Sequence, residues 1–391
     1  MIDAIVAGHL CLDIIPTILG RGPVVAGRMV EAGPAALATG GAVSNTGLAL
    51  HRLGLEVALA GKIGDDFFGG AIRDVIARHS PALAASLLLA PGQSSSYTVI
   101  LSPPATDRTF IHHVGTNAGF GSADLPDALL SSARLLHLGY PPLLPRLCAD
   151  DGAELAEIFR RAKALGLTTS LDMTMPDPSG ATGSFDWRAI LANVLPHTDL
   201  LLPSVEEMLL MLDRPAFERH ASDASGAVDV ARVPPEVVVA LGDTLLGLGA
   251  KLVMLKLGHR GFYLRSHDLG DIGRAAPASP DGWSTRQRWA PCFAAALVGT
   301  TGAGDATVAG LLAGLLRGAS LDDSLLLAAA VGACSVEAAD AVSGVRGWEA
   351  TRQRLAAPWP QQPTGVDALP GWIYADNLRV WVGPADGMTH R

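Results

Sequence analysis

The 391-residue chain is poor in charged and aromatic residues, and it lacks the excess of positive charge that nucleic acids attract. Charged residues make up 17% and aromatic residues 5%, and 38 acidic against 29 basic residues give a net charge of −9. Proteins that bind nucleic acids neutralise phosphates with basic surfaces and stack bases on aromatic rings. The composition therefore predicts no nucleic-acid partner, whereas 49% hydrophobic residues are sufficient for a large buried core.

Long apolar runs and closely spaced cysteines are missing as well. The longest apolar run covers residues 325–336, which is shorter than the roughly 18 residues of a membrane-spanning helix. The first residues carry no positive segment of the kind that opens a secretory signal. The four cysteines are far apart and lack CxxC spacing, which argues against a metal site or a disulfide framework. We expect a cytoplasmic protein with reduced thiols and no membrane contact.

Short apolar strands that alternate with helical segments predict an α/β fold. The predicted strands cover residues 4–8, 57–61, 135–138, 167–172, 199–202 and 251–255. The predicted helices include 44–53, which Ser44 would cap, 66–79, and two apolar helices at 303–317 and 321–339. This alternation is typical of a mainly parallel sheet flanked by helices.

Two segments, at about 13–39 and 96–116, fall outside this alternation and are predicted to form a small β lid. The second contains β-prone runs at 97–101 and 108–113, and the loop at 103–107 suits a hairpin.

Three further segments have the composition of insertions or linkers. Residues 214–236, 267–288 and 356–365 are predicted insertions or linkers. We expect one main domain at 1–355 and a C-terminal extension at 356–391, which ends in a strand or a packed tail.

The most informative motif runs from Gly299 to Asp305 and reads GTTGAGD; it follows a strand-like segment at 292–298 and precedes a helix. Glycines allow backbone N–H groups to converge on one point, and a helix N-terminus adds unsatisfied donors and about half a positive charge. The motif therefore predicts a site for a phosphate or an oxyanion. A carboxylate beside such a site suits a general base that deprotonates an attacking hydroxyl. On these residues alone, a tight turn followed by a first-turn acid is an equally good interpretation.

A second motif, Gly40-Gly41-Ala42-Val43-Ser44-Asn45, also precedes a helix. Paired glycines permit the close approach of a ligand, and the Asn45 amide can both donate and accept hydrogen bonds. Asp13, which follows the first strand, could accept hydrogen bonds from two hydroxyls. Each of these residues taken singly is better explained by a loop, a helix start or a surface acid.

Taken together, these motifs resemble those of the ribokinase-type (PfkB) carbohydrate kinases over roughly residues 1–347. The late signature of that family, Asp-Thr-x-Gly-Ala-Gly-Asp, is matched by Thr300 to Asp305. The early signature is matched by Gly40-Gly41, Asn45 and the Gly64-Asp65-Asp66 turn, and Asp13 stands where the family has a sugar-binding Asp. The resemblance implies a ribokinase-like kinase domain that uses ATP and Mg²⁺ to phosphorylate a hydroxyl of a sugar-like substrate.

The resemblance also implies roles for single residues. Asp305 is the general base. The amides that form the anion hole belong to Gly302, Ala303 and Gly304. The residues that bind sugar hydroxyls are Asp13, Gly40, Gly41 and Asn45, and Asn117 is a further candidate for the sugar pocket.

The predicted nucleotide-binding residues match the family's motifs only in part. Ser204 to Glu207 resembles the family's Asn-x-x-Glu motif, whose Glu helps to hold Mg²⁺, although Ser replaces Asn; Ser204 as a plain helix cap is equally well supported. Lys256 resembles a phosphate-binding residue at a strand end, but a solvated lysine is the alternative. The other predicted nucleotide-binding residues are Gly258, Gly261, Ala329 and Gly332, and small residues in the last two positions would also suit close helix packing.

The chain departs from the family at several positions. Gly299 replaces the first Asp of the late signature, which in the family resembles a ligand of an activating K⁺ ion, so we expect little K⁺ activation unless Asp340 substitutes for it. Gly139-Tyr140-Pro141 stands where ribokinase-like members carry a sugar-contacting Glu. His112 and His113 are taken as structural or surface residues, and Asp172 as either a site residue or a helix cap.

Two alternatives stay open. A nucleoside kinase of the same fold would need an aromatic ring for the base, and Tyr97, Phe110 and Phe120 are candidates. A non-catalytic sugar- or nucleotide-binding protein is the second alternative. The family's lids often pair between subunits, so a homodimer through the lid is expected.

Overall fold

The computed structural model describes residues 1–19, 27, 29–102, 109–177, 180–221 and 228–387. The predicted hairpin loop at 103–107 and parts of the lid segment 13–39 and of the segment 214–236 lie outside the described residues. No helix in the described part of the chain is both long and apolar enough to cross a membrane.

The strands are β1 (Ile2–Gly8), β2 (Cys11–Ile18), β3 (Ala32–Gly40), β4 (Val57–Gly64), β5 (Leu88–Ala90), β6 (Tyr97–Leu101), β7 (Thr109–His113), β8 (Ala133–Gly139), β9 (Thr168–Asp172), β10 (Leu200–Leu201), β11 (Leu252–Lys256), β12 (Phe262–Ser266), β13 (Gln287–Ala290), β14 (Ile373–Ala375) and β15 (Val380–Val382).

The helices are α1 (Ala42–Arg52), α2 (Phe67–Ala77), α3 (Pro81–Ala85), α4 (Asp127–Ser131), α5 (Pro145–Ala164), α6 (Trp187–Val194), α7 (Val205–Leu212), α8 (Arg214–His220), α9 (Pro235–Gly247), α10 (Pro280–Trp283), α11 (Ala303–Leu316), α12 (Leu321–Ser335) and α13 (Trp348–Ala356).

The main sheet has eleven strands in the order β14-β15-β13-β12-β11-β10-β9-β8-β1-β4-β5. From β5 to β11 all neighbouring strands are parallel, as the alternation of strands and helices predicts. The carboxyl ends of these parallel strands therefore meet at one edge, which is where ligands bind in open α/β sheets.

The other end of the sheet is antiparallel, which the sequence analysis did not predict. β12, β13, β15 and β14 each run antiparallel to their neighbours. The segment 267–288, predicted as an insertion, leads directly into β13. The predicted strand at 292–298 is wrong, because these described residues form only an isolated bridge between Phe293 and Gln361.

Helices cover both faces of the main sheet. Buried apolar residues of α1, α2, α11 and α12 pack on one face, and those of α5, α6, α7 and α9 pack on the other. Adjacent residues of β1 alternate between the two cores, with Val6 on the first side and Ile5 on the second. The two layers hold the strand ends and the α11 N-terminus in fixed relative positions.

A second sheet, ordered β3-β2-β6-β7, coincides with the predicted lid. β2 pairs in parallel with β6, and the other two pairings are antiparallel. β2 follows β1 after only two residues, so the lid begins directly above the carboxyl end of the central strand.

Two helix ends differ from the prediction. α1 begins at Ala42 with Gly41 as its N-cap, and Ser44 is buried inside the helix, where it hydrogen-bonds Thr39 instead of capping. Gly41 has φ +90°, and a Cβ at this position would lie 2.4 Å from the His9 carbonyl oxygen, so glycine is required there. The helix predicted at 321–339 ends at Ser335.

Candidate active site

Asp305 is the centre of the site, and three hydrogen-bond donors converge on its carboxylate. It lies in the first turn of α11 and is only 2% exposed. Asn45 Nδ2 and Tyr140 OH donate to Oδ2 over 3.0 and 2.8 Å, and Thr46 Oγ1 donates to Oδ1 over 3.1 Å. α1 and the end of β8 supply these donors, so distant parts of the chain fix the direction of one carboxylate.

The turn before α11 depends on glycine. Gly302, the N-cap, has φ +71°, and a Cβ there would lie 2.4 Å from the Ala341 Cβ, so any side chain would strain the backbone and clash. The Ala303 N–H donates to the Thr300 carbonyl over 3.2 Å, which removes one of the three amides of the predicted anion hole. The first N–H groups of a helix have no intrahelical acceptor and carry the positive end of its dipole.

Lys256 and Asp172 form a buried ion pair beside this turn. Lys256 Nζ lies 2.8 Å from both carboxylate oxygens of Asp172, and the two side chains are 13% and 1% exposed. Burial raises the pKa of Asp172 and Lys256 opposes this shift, while the carboxylates of Asp172 and Glu207 raise the pKa of Lys256 against the effect of its own burial. The solvated lysine and the helix-capping aspartate are therefore both wrong: the two residues hold each other.

A cavity of about 720 Å³ opens at the N-terminus of α11. Gly304 and Lys256 lie in its wall, and a Cβ on Gly304 would be 3.5 Å from Lys256 Nζ. The predicted nucleotide-binding residues that line this cavity are Ser204, Glu207, Lys256, Gly258, Gly261, Ala329 and Gly332. A side chain on Gly332 would also collide with Thr307 Oγ1 at 2.4 Å, so the same glycine permits close packing of α12 on α11.

Two neighbouring glutamates on α7 line the same cavity. Glu207 and Ser204 form a capping box: Ser204 N donates to Glu207 Oε2 over 2.8 Å, and Glu207 N donates to Ser204 Oγ over 3.3 Å. Glu206 Oε2 is buried without a hydrogen-bond partner among the described residues, and burial raises the pKa of Glu206. The described residues contain no group of three or more metal-binding side chains. One or two carboxylates facing a cavity suit Mg²⁺, which also takes ligands from phosphates and water.

Asp13 lies at the lid, next to the glycines of the early motif. Its carboxylate packs against Gly40, where a Cβ would lie 2.4 Å from Oδ2. Cys11 Sγ, at 3.4 Å, donates a weak hydrogen bond to Oδ1. Burial raises the pKa of Asp13 to about 6. A buried carboxylate with so little compensation is costly to the folded state and is typical of a ligand site.

Other predicted residues have structural partners. Asn117 Nδ2 donates to the Leu10 carbonyl over 3.0 Å, and its Oδ1 accepts the Leu10 N–H over 3.5 Å. Its amide therefore connects the turn at Gly115–Gly119 to the link between β1 and β2. In the Gly64-Asp65-Asp66 turn, Asp66 caps α2 through the Gly69 N–H and also accepts from Ser95.

Gly299 faces backbone, not another carboxylate. A Cβ at this position would lie 3.0 and 3.1 Å from the carbonyl oxygens of Ala338 and Ala339. Oδ1 of Asp340 accepts the N–H groups of Val342 and Ser343, so this side chain organises its own loop.

Sequence reasoning missed Thr46, Glu206 and the role of Tyr140. Tyr140 has left-handed backbone angles (φ 67°, ψ 48°), a conformation that costs a non-glycine residue of order 1–3 kcal/mol and that clusters at functional sites. The signal was present, since Tyr140 occupies the strand end where the family's Glu was missing. Burial and the Asp305 carboxylate raise the pKa of Tyr140 well above its ordinary value, so its hydroxyl remains a donor.

Sequence comparison finds relatives over most of the chain. The sequence profile described as "pfkB family carbohydrate kinase" matches residues 1–346. Fructokinase-2 from Oryza sativa subsp. japonica is 23% identical over 320 residues, which cover 81% of this chain and 80% of that protein.

Solved structures share the fold. Ribokinase from Arabidopsis thaliana, complexed with ribose and ATP, superposes with a TM-score of 0.67 at 18% identity, over 91% of this chain and 99% of that chain. Nucleoside kinase from Methanocaldococcus jannaschii, a member of the ribokinase family, superposes with a TM-score of 0.64 at 19% identity, over 90% and 98% of the two chains. The predicted ribokinase-like α/β fold is confirmed.

Proposed function

This chain belongs to the pfkB family of carbohydrate kinases, and from that premise we propose that it transfers the γ-phosphoryl group of ATP to a hydroxyl of a sugar or sugar-like compound. The observation that carries the proposal is the placement of Asp305. Its carboxylate is held by three donors at the N-terminus of α11, beside a cavity large enough for a nucleotide. A base next to an anion-binding helix end is what transfer to a hydroxyl requires.

In the proposed reaction Asp305 takes the proton of the acceptor hydroxyl. A carboxylate offers about four acceptor positions and three are occupied, so one acceptor position remains for the O–H group of the acceptor. As the O–H bond breaks, the oxygen forms a bond to the γ-phosphorus, the bond to the β–γ bridging oxygen breaks, and ADP leaves. The remaining amides of the α11 turn, above all that of Gly304, would stabilise the charge on the transferred group.

The cavity side of the site suits the nucleotide and its metal ion. Lys256 supplies positive charge next to Gly304, and Asp172 holds it in place. Glu206 and Glu207 would hold Mg²⁺, since both line the cavity and Glu206 Oε2 lacks a protein partner among the described residues. When bound, the ion neutralises negative charge on the phosphates.

The test compares two aspartates in the same helical position. Asp305→Asn should lower kcat by about 10²–10⁴ with unchanged ATP affinity, because only the proton acceptor is lost. The matched control is Asp323→Asn: Asp323 is also the third residue of its helix, α12, but it is exposed, and its carboxylate accepts a hydrogen bond from Oγ of Ser320, the residue that caps this helix. ADP release should be measured over a panel of sugars and nucleosides. Turnover of Asp305→Asn close to that of the control would remove the base assignment.

The nucleoside kinase alternative has less support. Phe120 is fully buried in the core, and the Tyr97 ring packs against Phe68 at 5.0 Å, so neither lies free for a base. Phe110 is 60% exposed on β7 and stays a candidate. The family match favours a kinase over a non-catalytic binding protein.

We also propose a homodimer through the lid. Its outer strands expose Leu37, Phe110 and Ile111, each about half exposed or more, and sedimentation would measure the mass in solution. The cytoplasmic location stays a prediction from the sequence.

A further inference from the structure

A pair of histidines lies between the lid and the proposed general base. His9, in the two-residue link between β1 and β2, is only 3% exposed. Its ring centre is 5.3 Å from that of His112 on β7 and 6.2 Å from that of Tyr140, whose ring is inclined by 29°. Tyr140 in turn donates to Asp305, so these rings form a continuous wall from the lid to the base.

Polar atoms in this wall are buried without partners. Both ring nitrogens of His9, Nε2 of His112 and Oδ1 of Asn45 have no hydrogen-bond partner within the described ranges. Folded proteins rarely leave such atoms unpaired, because each loses its bonds to water on burial. His112 Nδ1 is already hydrogen-bonded to Thr98 Oγ1 at 2.9 Å, which fixes the ring and leaves Nε2 available.

The charges around this wall select against anions. Burial, with a smaller contribution from His112, lowers the pKa of His9 to about 3, and burial lowers the pKa of His112. Both imidazoles are therefore neutral, and a neutral ring offers one donor and one acceptor. Asp13 and Asp305 are hydrogen-bonded only by neutral groups, and in the described part of the chain neither forms an ion pair with Lys or Arg.

We propose that His9 and His112 bind hydroxyls of the acceptor substrate, and that this acceptor is a neutral polyhydroxylated compound. Each hydroxyl donates one hydrogen bond and accepts others, so the several hydroxyls of a polyol can together satisfy a neutral imidazole, the Asn45 carbonyl oxygen and a carboxylate. A phosphate or carboxylate on the acceptor would instead face the carboxylates of Asp13 and Asp305. Lys256, the described cation that interacts with Asp305, is already paired with Asp172. The inference rests on the proposed function, because it takes the surroundings of Asp305 as the acceptor site.

Binding is tested directly, without phosphoryl transfer, by NMR of the full-length protein with isotopically labelled histidine. The probes are D-fructose and D-ribose as neutral sugars, and D-ribose 5-phosphate and D-gluconate as anions. We expect at least one neutral sugar to move the His9 and His112 ring resonances and to leave that of His113, the exposed neighbour on β7, in place. If neither neutral sugar moves them, or if an anion binds more tightly, the inference is overturned.

Steady-state kinetics of substituted proteins test the same contacts. His9→Phe and His112→Phe keep a planar ring but remove its nitrogens, and each should raise KM for the sugar by about 10-fold or more while KM for ATP stays the same. His113→Phe is the matched control on the same strand and should change neither. His9→Asn, which retains a donor and an acceptor, should recover part of the affinity, and this partial rescue separates hydroxyl binding from a loss of folding. An unchanged sugar KM in both Phe variants overturns the inference.

The outcomes separate the two proposals. If an anionic sugar is the best acceptor in the ADP-release assay, the kinase function stands and the assignment of His9 and His112 falls. If a neutral sugar moves both resonances but no acceptor is phosphorylated, the assignment stands and the proposed function falls.

Discussion

Replacing Asp13 by Asn should stabilise the empty protein at neutral pH and at the same time remove its affinity for sugar. The reason is that the Asp13 carboxylate is buried, with only a thiol hydrogen bond from Cys11 to compensate for lost hydration. A carboxylate that lacks partners in this way can accept hydrogen bonds from two hydroxyls. Without a bound ligand, its burial destabilises the folded state.

The magnitude follows from the pKa. Burial raises the pKa of Asp13 from 3.8 to about 6, and a shift of about two units corresponds to about 3 kcal/mol at 1.36 kcal/mol per unit. Well below pH 4 the carboxyl group is protonated in both states and its burial adds no penalty. Between pH 4 and 6 only the unfolded chain releases the proton, so the free energy of unfolding falls as pH rises. Above pH 6 the full penalty of about 3 kcal/mol is present.

The pH dependence of the unfolding free energy is measured by urea denaturation of the ligand-free protein between about pH 4.5 and 8, with tryptophan fluorescence as the signal. The difference in unfolding free energy between Asp13→Asn and the parent should grow by about 2 kcal/mol from about pH 4.5 to 8, because about 1 kcal/mol of the penalty is already present at pH 4.5. Taking a difference cancels the titration of all other groups. Asp74→Asn, an exposed aspartate on α2, is the control and should give a flat difference.

A flat or falling difference for Asp13→Asn would refute the reasoning, because it would mean that the buried carboxylate is compensated in the folded protein. Calorimetry with a sugar that the parent binds supplies the second readout. Equal loss of sugar and ATP affinity would indicate a distorted first strand and not a lost hydroxyl acceptor.

Three further predictions concern the proposed catalytic machinery. Tyr140→Phe removes one donor to the Asp305 carboxylate and should lower kcat by about 10-fold with ATP KM unchanged; full activity would show that the other two donors suffice. Lys256→Met leaves Asp172 buried without its cation and should lower the unfolding free energy by about 3–5 kcal/mol, whereas the double variant Lys256→Met/Asp172→Leu should recover most of it in urea denaturation. Because Gly299 supplies no carboxylate, KCl should not raise kcat above the value in NaCl-free buffer of matched ionic strength, and a many-fold K⁺-specific rise would contradict this.

Local signals predicted the two glycine-dependent helix starts. The glycines before α11 and α1 mark helix starts where side chains would clash, and such requirements are visible in a short stretch of sequence. The two signatures named Asn45 and Asp305 separately, and the structure joins them through a hydrogen bond between α1 and α11.

Contacts between residues far apart in the chain could not be predicted from the sequence. Tyr140 is 165 residues from Asp305, and His9 meets His112 only because β2 carries the chain into the lid. The local sequence predicts Ser44 as a helix cap, but its hydroxyl forms a hydrogen bond with Thr39 on β3 instead. The antiparallel direction of β12 and β13 was not predicted either, because the composition of a buried strand does not depend on whether it pairs in parallel or antiparallel.

The antiparallel edge of the main sheet extends the enzyme beyond its family signature. The family match ends at residue 346, yet β15 pairs with β13 at Arg288 and Val382, and Gln362 lines the cavity at the N-terminus of α11. Cutting the chain at 355 would remove β15, the outer neighbour of β13, and leave β13 as an exposed strand edge, which favours aggregation. The folded unit is therefore longer than the segment that matches the family. A truncation at the family boundary would remove two strands of the main sheet and one residue that lines the cavity.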